Sequence, residues 1–256
     1  MEYIYDAINR EGFSEQTLDI IDIFTKQIVN GSKNFNQFNQ AEHAGLCCAG
    51  EMLVGAYIVC NYAQTSLAAS GNAGTGEITS PESWQIDSEQ EKFVEQWAKA
   101  KGLWFPDAQE VIEAEYGPMI AEGAESKVYY KGGETSVVKI RASIYATLGR
   151  AIESIVLHNT LFRETPMTVI GFTRDKDELF RAICTQPYIG CKRLASQEEI
   201  DMMVAQRGFC DNNNGRGVNY IGERLLLEDM HPANVFIDTI SETPICIDCI
   251  VKFIRS

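Results

Sequence analysis

Asp229-Met230-His231-Pro232-Ala233-Asn234 is a polar hexapeptide lying between two short strand-like runs, Arg224–Leu227 and Asn234–Asp238. A third run, Pro244–Ile250, closes the chain and carries Asp248 directly after Ile245-Cys246-Ile247. An acidic residue at the end of an apolar strand needs a partner or a cation, because an unpaired buried carboxylate is costly. Two further residues stand out upstream. Val137-Val138-Lys139-Ile140 places a lysine on a hydrophobic strand, and Glu153 falls on the helix that follows it. Taken singly, each has a plain reading as a solvated edge charge or a wet helix face. Their joint order, lysine, glutamate, D-x-x-x-x-N and a strand-end aspartate, is more specific.

The surrounding elements follow from periodicity. Lys127–Tyr130 and Thr135–Arg141 are β-rich runs joined by Lys131-Gly132-Gly133-Glu134, a hairpin signal. A helix is expected over about Ile144–Phe162, with Leu148, Ile152, Ile155 and Val156 along one side. Thr168–Thr173 and Glu178–Thr185 read as strands joined at Asp175-Lys176-Asp177, and Ser196-Gln197-Glu198-Glu199 is a capping box opening a helix toward Arg207. This alternation of strands and helices is an α+β layout whose first sheet is built from sequence neighbours.

Before residue 118 the pattern is helical. Leu18, Ile21, Phe24 and Ile28 share one face, and Phe93, Val94, Trp97 and Ala98 share another on a helix from about Glu89 to Lys101, which Gly102 ends. Ser70–Ser80 reads as a loop or linker. Trp84, Trp97, Trp104 and Phe105 are expected to pack residues 80–115 onto the first sheet. The alternative is a partner surface.

The 256 residues suit one large domain or two small ones, and 45 % hydrophobic with 23 % charged residues excludes a disordered or fibrous chain. Net charge is −14, with residues 1–120 at −12 and residues 121–256 at −2. So acidic a chain repels phosphate backbones, and no nucleic-acid partner is expected. The least polar stretch, Ala44–Ala63, contains Glu51 and three glycines and reads as a buried helix, so no membrane partner is expected either. Met1-Glu2-Tyr3-Ile4-Tyr5-Asp6 lacks the basic and apolar regions of a secretion signal, which points to a cytoplasmic protein with mostly reduced thiols.

From about Gly117 onward the chain resembles a small protein-kinase-like fold, most closely the compact kinase domains of polyvalent proteins from phages and conjugative mobile elements. The stretches that carry the resemblance are Glu122–Tyr129, Val138-Lys139, Gln186-Pro187-Tyr188-Ile189, Gly208-Phe209 and Leu227–Asp238. It implies an antiparallel-sheet lobe over residues 111–190 with its hinge, a minimal C-terminal lobe over 191–256, and an acidic, mainly helical region over 1–110. It also implies an ATP- and Mg²⁺-dependent phosphotransferase, chemistry that consists mostly of positioning and charge neutralisation. Lys139 would grip the nucleotide phosphates and Glu153 would pair with it. Asp229 would be the base or hydroxyl-orienting residue, with Asn234 and Asp248 as metal ligands through hard oxygens. Gly123, Ser126 and Val128 would belong to the loop over the phosphates, and Gln186 and Tyr188 to the hinge beside the adenine.

The sequence departs from the protein-kinase pattern in several places. The phosphate loop has Gly123 where three glycines are usual, Leu227-Glu228 replaces His-Arg, and Cys249-Ile250 follows Asp248 in place of Phe-Gly. With eight residues after Asp248 in this sequence, an activation segment is not expected. Asp-x-His-x-x-Asn resembles the loop of aminoglycoside and choline kinases, which makes His231 a further site candidate, although turn geometry could equally explain it. The acceptor is therefore expected to be a protein hydroxyl, or alternatively a small molecule, and a catalytically inactive binding module is the third reading.

Cys246-Ile247-Asp248-Cys249 has C-x-x-C spacing, but residues three apart on a strand point to opposite faces and chelate poorly, so zinc or redox chemistry is not expected. His43, Cys47, Cys48 and Cys60 read as helix core rather than a metal site.

Overall fold

The computed structural model describes residues 55–57, 59, 60, 63, 67, 82–123, 125–142, 147–212 and 219–254. The expected Leu18–Ile28 helix, the Ser70–Ser80 loop and the His43–Cys48 segment lie outside them. The described residues between Gly55 and Leu67 are helical, and Ala56, Tyr57, Cys60 and Ala63 are buried, as the Ala44–Ala63 reading anticipated for that part.

The elements in order are α1 (Ser83–Lys101), α2 (Ala108–Tyr116), β1 (Met119–Glu122), β2 (Ser126–Tyr129), β3 (Ser136–Ala142), α3 (Leu148–Leu161), β4 (Thr168–Arg174) and β5 (Phe180–Pro187). They continue with β6 (Cys191–Leu194), α4 (Gln197–Ala205), β7 (Cys210–Asp211), β8 (Tyr220–Ile221), β9 (Leu225–Glu228), β10 (Val235–Asp238), β11 (Pro244–Cys246) and β12 (Ile250–Phe253). A 3₁₀ turn, Pro232–Asn234, leads into β10. Helices and antiparallel sheets make this an α+β fold. The hairpin, the capping box and the β4–β5 pair form where the sequence placed them. Sequence periodicity missed α2, β1 and β6, each short, with β1 and β6 fully exposed and so lacking an apolar alternation.

α1 begins six residues earlier than expected because the Gln85 side chain reaches back to the Glu82 N–H at 2.9 Å, covering one of the donors a first turn leaves bare. It ends at Gly102, whose φ of 70° lies in the left-handed region open to glycine. α1 also finishes the start of α3. Asp87 Oδ1 accepts the Leu148 N–H at 2.6 Å and Gln90 Oε1 accepts the Gly149 N–H at 2.8 Å.

The first sheet has the order β1-β2-β3-β5-β4, all antiparallel. β3 is its buried centre, and its two faces have different jobs. Val138 and Ile140 turn toward Ala108 and Ile112 of α2, together with Tyr129 and Ile183. On the opposite face, the register pairs Lys139 with Val128 on one side and Cys184 on the other, with Val137 opposite Gln186 and Arg141 opposite Ser126. Paired residues share a face, so Ser126, Val128, Lys139, Arg141 and Gln186 line one surface.

The larger core lies on that side. It joins Val94 and Ala98 of α1, Ile152, Ile155, Val156 and Leu157 of α3, Val169 and Phe172 of β4, and residues of β5, α4, β8, β9, β10, β11 and β12, ending at Phe253. Each such side chain contributes about 2 kcal/mol on burial. Trp97 packs edge-on to Phe172, Trp104 tilts against Phe180, and Phe105 N–H bonds the Phe172 carbonyl, so these three hold the α1–α2 segment to β4 and β5. Trp84 is 65 % exposed and takes no part. Contact here is close enough that a Cβ on Gly171 would meet the Phe105 ring.

After Pro187 the chain builds two small sheets, β11-β10-β6 and β12-β9-β8-β7. Tyr188 stacks on Tyr130 at 4.3 Å and its N–H bonds Thr135 O, while the Gly190 carbonyl accepts the Thr239 N–H. The expected single strand Pro244–Ile250 is two, β11 and β12. Residues 247–249 leave the extended ladder, with Ile247 N–H bonded to Asn234 O at 2.9 Å. No helix among the described residues is long and apolar enough to cross a membrane.

Candidate active site

The β11–β12 link carries Asp248 onto the polar face of β3. Lys139 Nζ lies 3.5 Å from Asp248 Oδ2 and donates to the Ile247 carbonyl at 3.0 Å, while Arg141 Nη1 stands 3.1 Å from Asp248 Oδ1. The two cations are 5–6 % exposed and the carboxylate 19 %, so screening by water is weak and the attraction is strong. Burial alone would raise the Asp248 carboxyl, but Arg141 and Lys139 hold it down at about 2. Burial also lowers the Lys139 ammonium, against the opposing pull of Asp248. Arg141 is a site residue that the sequence reading passed over. Its position two after Lys139 on a strand was the available signal.

Glu153 is not the partner of Lys139, which corrects the expected pairing. The carboxylate at ion-pair distance from that lysine, among the described residues, is Asp248, because the β11–β12 link brings it directly over β3. Glu153 sits buried on α3, accepts from the Tyr57 hydroxyl at 3.4 Å and feels Arg150. Burial dominates there and pushes its carboxyl above the ordinary range.

Asp229, His231 and Asn234 form a second cluster at the β9–β10 turn. Asn234 Nδ2 donates to Asp229 Oδ2 at 2.8 Å and to the Asp229 carbonyl at 3.0 Å. His231 Nδ1 accepts the Ala233 N–H at 3.2 Å, so in the neutral ring the proton belongs on Nε2, which faces Asp229 Oδ1 at 3.3 Å. The Asp229 carboxylate thus receives two donors. Its backbone φ of 63° is left-handed, a conformation that costs a non-glycine residue about 1 kcal/mol and turns the side chain out of the strand line. Asp229 and His231 are 44 % and 41 % exposed, open to an incoming molecule.

The two clusters are tied through the backbone. Val235 pairs with Cys246, and Asn234 O receives Ile247 N–H, so Asn234 and Asp248 ride on adjacent chains. Glu125, in the loop between β1 and β2, lies close enough that Arg141, Asp248 and Asp229 all act on it, and burial raises its carboxyl. Gly123 and Ser126 flank it.

The hinge candidates are partly committed elsewhere. Gln186 is buried and its amide donates to Thr165 O at 2.8 Å, so its side chain does not point to a ligand; Tyr188 presents its stacked ring at the surface. A groove of about 1020 Å³ runs from Gly123–Lys127 across α2 to the Asp175–Glu178 turn. It contains none of Lys139, Asp229, Asn234 or Asp248, and lies toward the other side of the sheet.

A lysine on the central strand of an antiparallel sheet, facing an aspartate beside an Asp–Asn turn, is the arrangement of a protein-kinase-like phosphotransferase site. Residues 87–255 match the model of a family described as serine/threonine/tyrosine kinase found in polyvalent proteins, and the chain belongs to that family. Among curated proteins nothing matches. Among solved structures, the LegK7 effector kinase of Legionella pneumophila is similar at 13 % identity and a TM-score of 0.26, covering 93 % of this chain. The chain spans 63 % of that protein's length.

Proposed function

We propose that the chain transfers the γ-phosphoryl group of ATP to a protein hydroxyl, with Mg²⁺ as its metal. The observation that carries the reading is the Lys139–Asp248 contact beside the Asp229–Asn234 turn. In this reading residues 111–190 act as the nucleotide lobe with its hinge, and residues 191–256 supply the catalytic turn. Lys139 takes the nucleotide phosphates, helped by Arg141, and Asp248 is thereby released from its cations. Gly123, Ser126 and Val128 cover the phosphates, and Tyr188 sits at the adenine edge. Asp229 orients the acceptor hydroxyl and accepts its proton.

The donor set suits a hard divalent cation. Asn234 spends its amide nitrogen on Asp229, which leaves its carbonyl oxygen to ligate, and Asp248 is ionised. Mg²⁺ held there would neutralise charge on the phosphates. Glu153 enters this scheme only if α3 shifts toward Lys139 on nucleotide binding.

A second reading has its own observation. His231 Nε2 faces Asp229, as in the loop that resembles aminoglycoside and choline kinases, and favours a small-molecule alcohol as acceptor. Calorimetric titration of ATP with and without Mg²⁺, on the parent and on Asp248→Asn, tests the site. Magnesium-dependent binding lost in the variant supports it. An absence of binding in the parent leaves a kinase-like binding module.

A further inference from the structure

The link that carries Asp248 is bracketed by Cys246 and Cys249, and their sulfurs converge. Both thiols and a ring nitrogen of His158 lie within 4.8 Å of one another, and all three residues are buried. His158 Nδ1 is 3.5 Å from Cys249 Sγ. Strand alternation does not part the two sulfurs, because residues 247–249 are not strand and the chain turns Cys249 back toward Cys246.

The imidazole is aimed. His158 Nε2 lies 3.1 Å from the Thr165 carbonyl, which can only accept, so Nε2 carries the proton and Nδ1 presents a lone pair toward Cys249. Thr165 is itself held, its carbonyl by the Gln186 amide at 2.8 Å and its hydroxyl by Cys246 O at 2.6 Å. A carbonyl fixing the far nitrogen is the usual support behind a metal-bound histidine. Tetrahedral geometry with Zn–N and Zn–S bonds of about 2.0 and 2.3 Å sets the N···S edge at about 3.5 Å. That is the separation present. Met230 Sδ, fully buried and 3.9 Å from Cys246 Sγ, is a further soft donor beside the group.

We propose that His158, Cys246 and Cys249 bind one zinc ion. As each S–Zn bond forms the thiol gives its proton to solvent, and His158 binds as the neutral ring. Zn²⁺ thus replaces two protons, and the filled site is uncharged, which suits a group shut away from water. The ion would pin both ends of the Asp248 link to α3. It binds whether or not the chain transfers phosphate.

The test uses the purified full chain, stripped with chelator under reducing conditions and titrated with Co²⁺ alone, then Zn²⁺. The parent is expected to take up one equivalent with thiolate-to-cobalt charge-transfer absorption that zinc bleaches. Cys246→Ser/Cys249→Ser should lose that absorption, and Cys47→Ser/Cys48→Ser should keep it. His158→Gln should alter the visible cobalt bands while charge transfer remains. Should the double variant fail to fold, the zinc X-ray absorption edge of the loaded parent decides, with at least two sulfur neighbours and one nitrogen expected. Absorption undiminished in a folded double variant, no retained metal in the parent, or an edge without sulfur neighbours would each overturn the proposal.

Discussion

The Arg141 guanidinium stands 3.1 Å from Asp248 Oδ1 while Lys139 holds the other oxygen, so one carboxylate closes a bridge between the first sheet and the β11–β12 link. Removing one partner of a buried pair leaves an uncompensated charge, typically at a cost of about 3 kcal/mol. Arg141→Met should destabilise the protein by about that much, and so should Asp248→Asn. The double variant should be less destabilised than the two losses added. Urea unfolding of the four proteins gives the coupling directly, and strict additivity would mean that the bridge contributes nothing.

Asp229→Asn keeps the shape of the turn but removes the acceptor for a hydroxyl proton. Phosphate transfer from radiolabelled ATP, followed as autophosphorylation or hydrolysis, should fall about a hundredfold or more. Nucleotide affinity should stay within about twofold of the parent, since Lys139 and Asp248 are untouched. Equal loss of binding would assign Asp229 to the nucleotide rather than to the acceptor.

Glu153 provides a pH dependence whose sign follows from its burial. Its carboxyl is raised in the folded protein, so the fold binds that proton more tightly than the unfolded chain does. The contribution is fully present below the unfolded value, about 4.3, and is lost as pH rises through the elevated folded value. Glu153→Gln should therefore raise the melting temperature at pH 7.5 relative to the parent, with the gap closing toward pH 4. A drop in melting temperature at pH 7.5 would show that the charge is stabilising where it sits.

Gly171 is tested by a single methyl group. A Cβ there would meet the Phe105 ring and, at 2.7 Å, the Leu103 carbonyl, so the ring or the backbone would have to shift. Gly171→Ala should cost about 2 kcal/mol, or about 5 °C in melting temperature. An unchanged melting curve would mean that the Leu103–Phe105 segment is not packed on β4.

Much of the first sheet was legible because its strands alternate and its turns carry glycine or aspartate at the right places. Lys139, Asp229, Asn234 and Asp248 stand out through their order along the chain, and the fold sets Lys139 against Asp248 and Asp229 against Asn234. Their partners were not legible. The sequence suggests Glu153 for Lys139, since helix glutamate and strand lysine come in that order, but pairing depends on where the β11–β12 link passes. Pro244–Ile250 reads as one strand, and only the break at residues 247–249 frees Asp248 and gathers the two cysteines. Arg141 was hidden in plain sight, since a second cation two residues on looks like an ordinary strand-end charge. α2 lacks the long apolar period that marks a helix, and it folds where Ala108 and Ile112 find the back of β3.

The stretch from Tyr188 to Gly190 has a mechanical consequence. Tyr188 is clamped to the first sheet through Tyr130 and Thr135, and Gly190 is clamped to β10 through Thr239. Ile189 alone separates the clamps, and among the described residues the backbone passes here from the first sheet to the later ones. The crossing is short and held at both ends, so it fixes the spacing of the two sheets where they join. The Lys139 bond to Ile247 O and the Arg141–Asp248 pair add a second tie, beside the core that α3 shares with β12. A ligand that drew Lys139 away from Ile247 would loosen one of these ties and leave the Tyr188–Gly190 crossing in place.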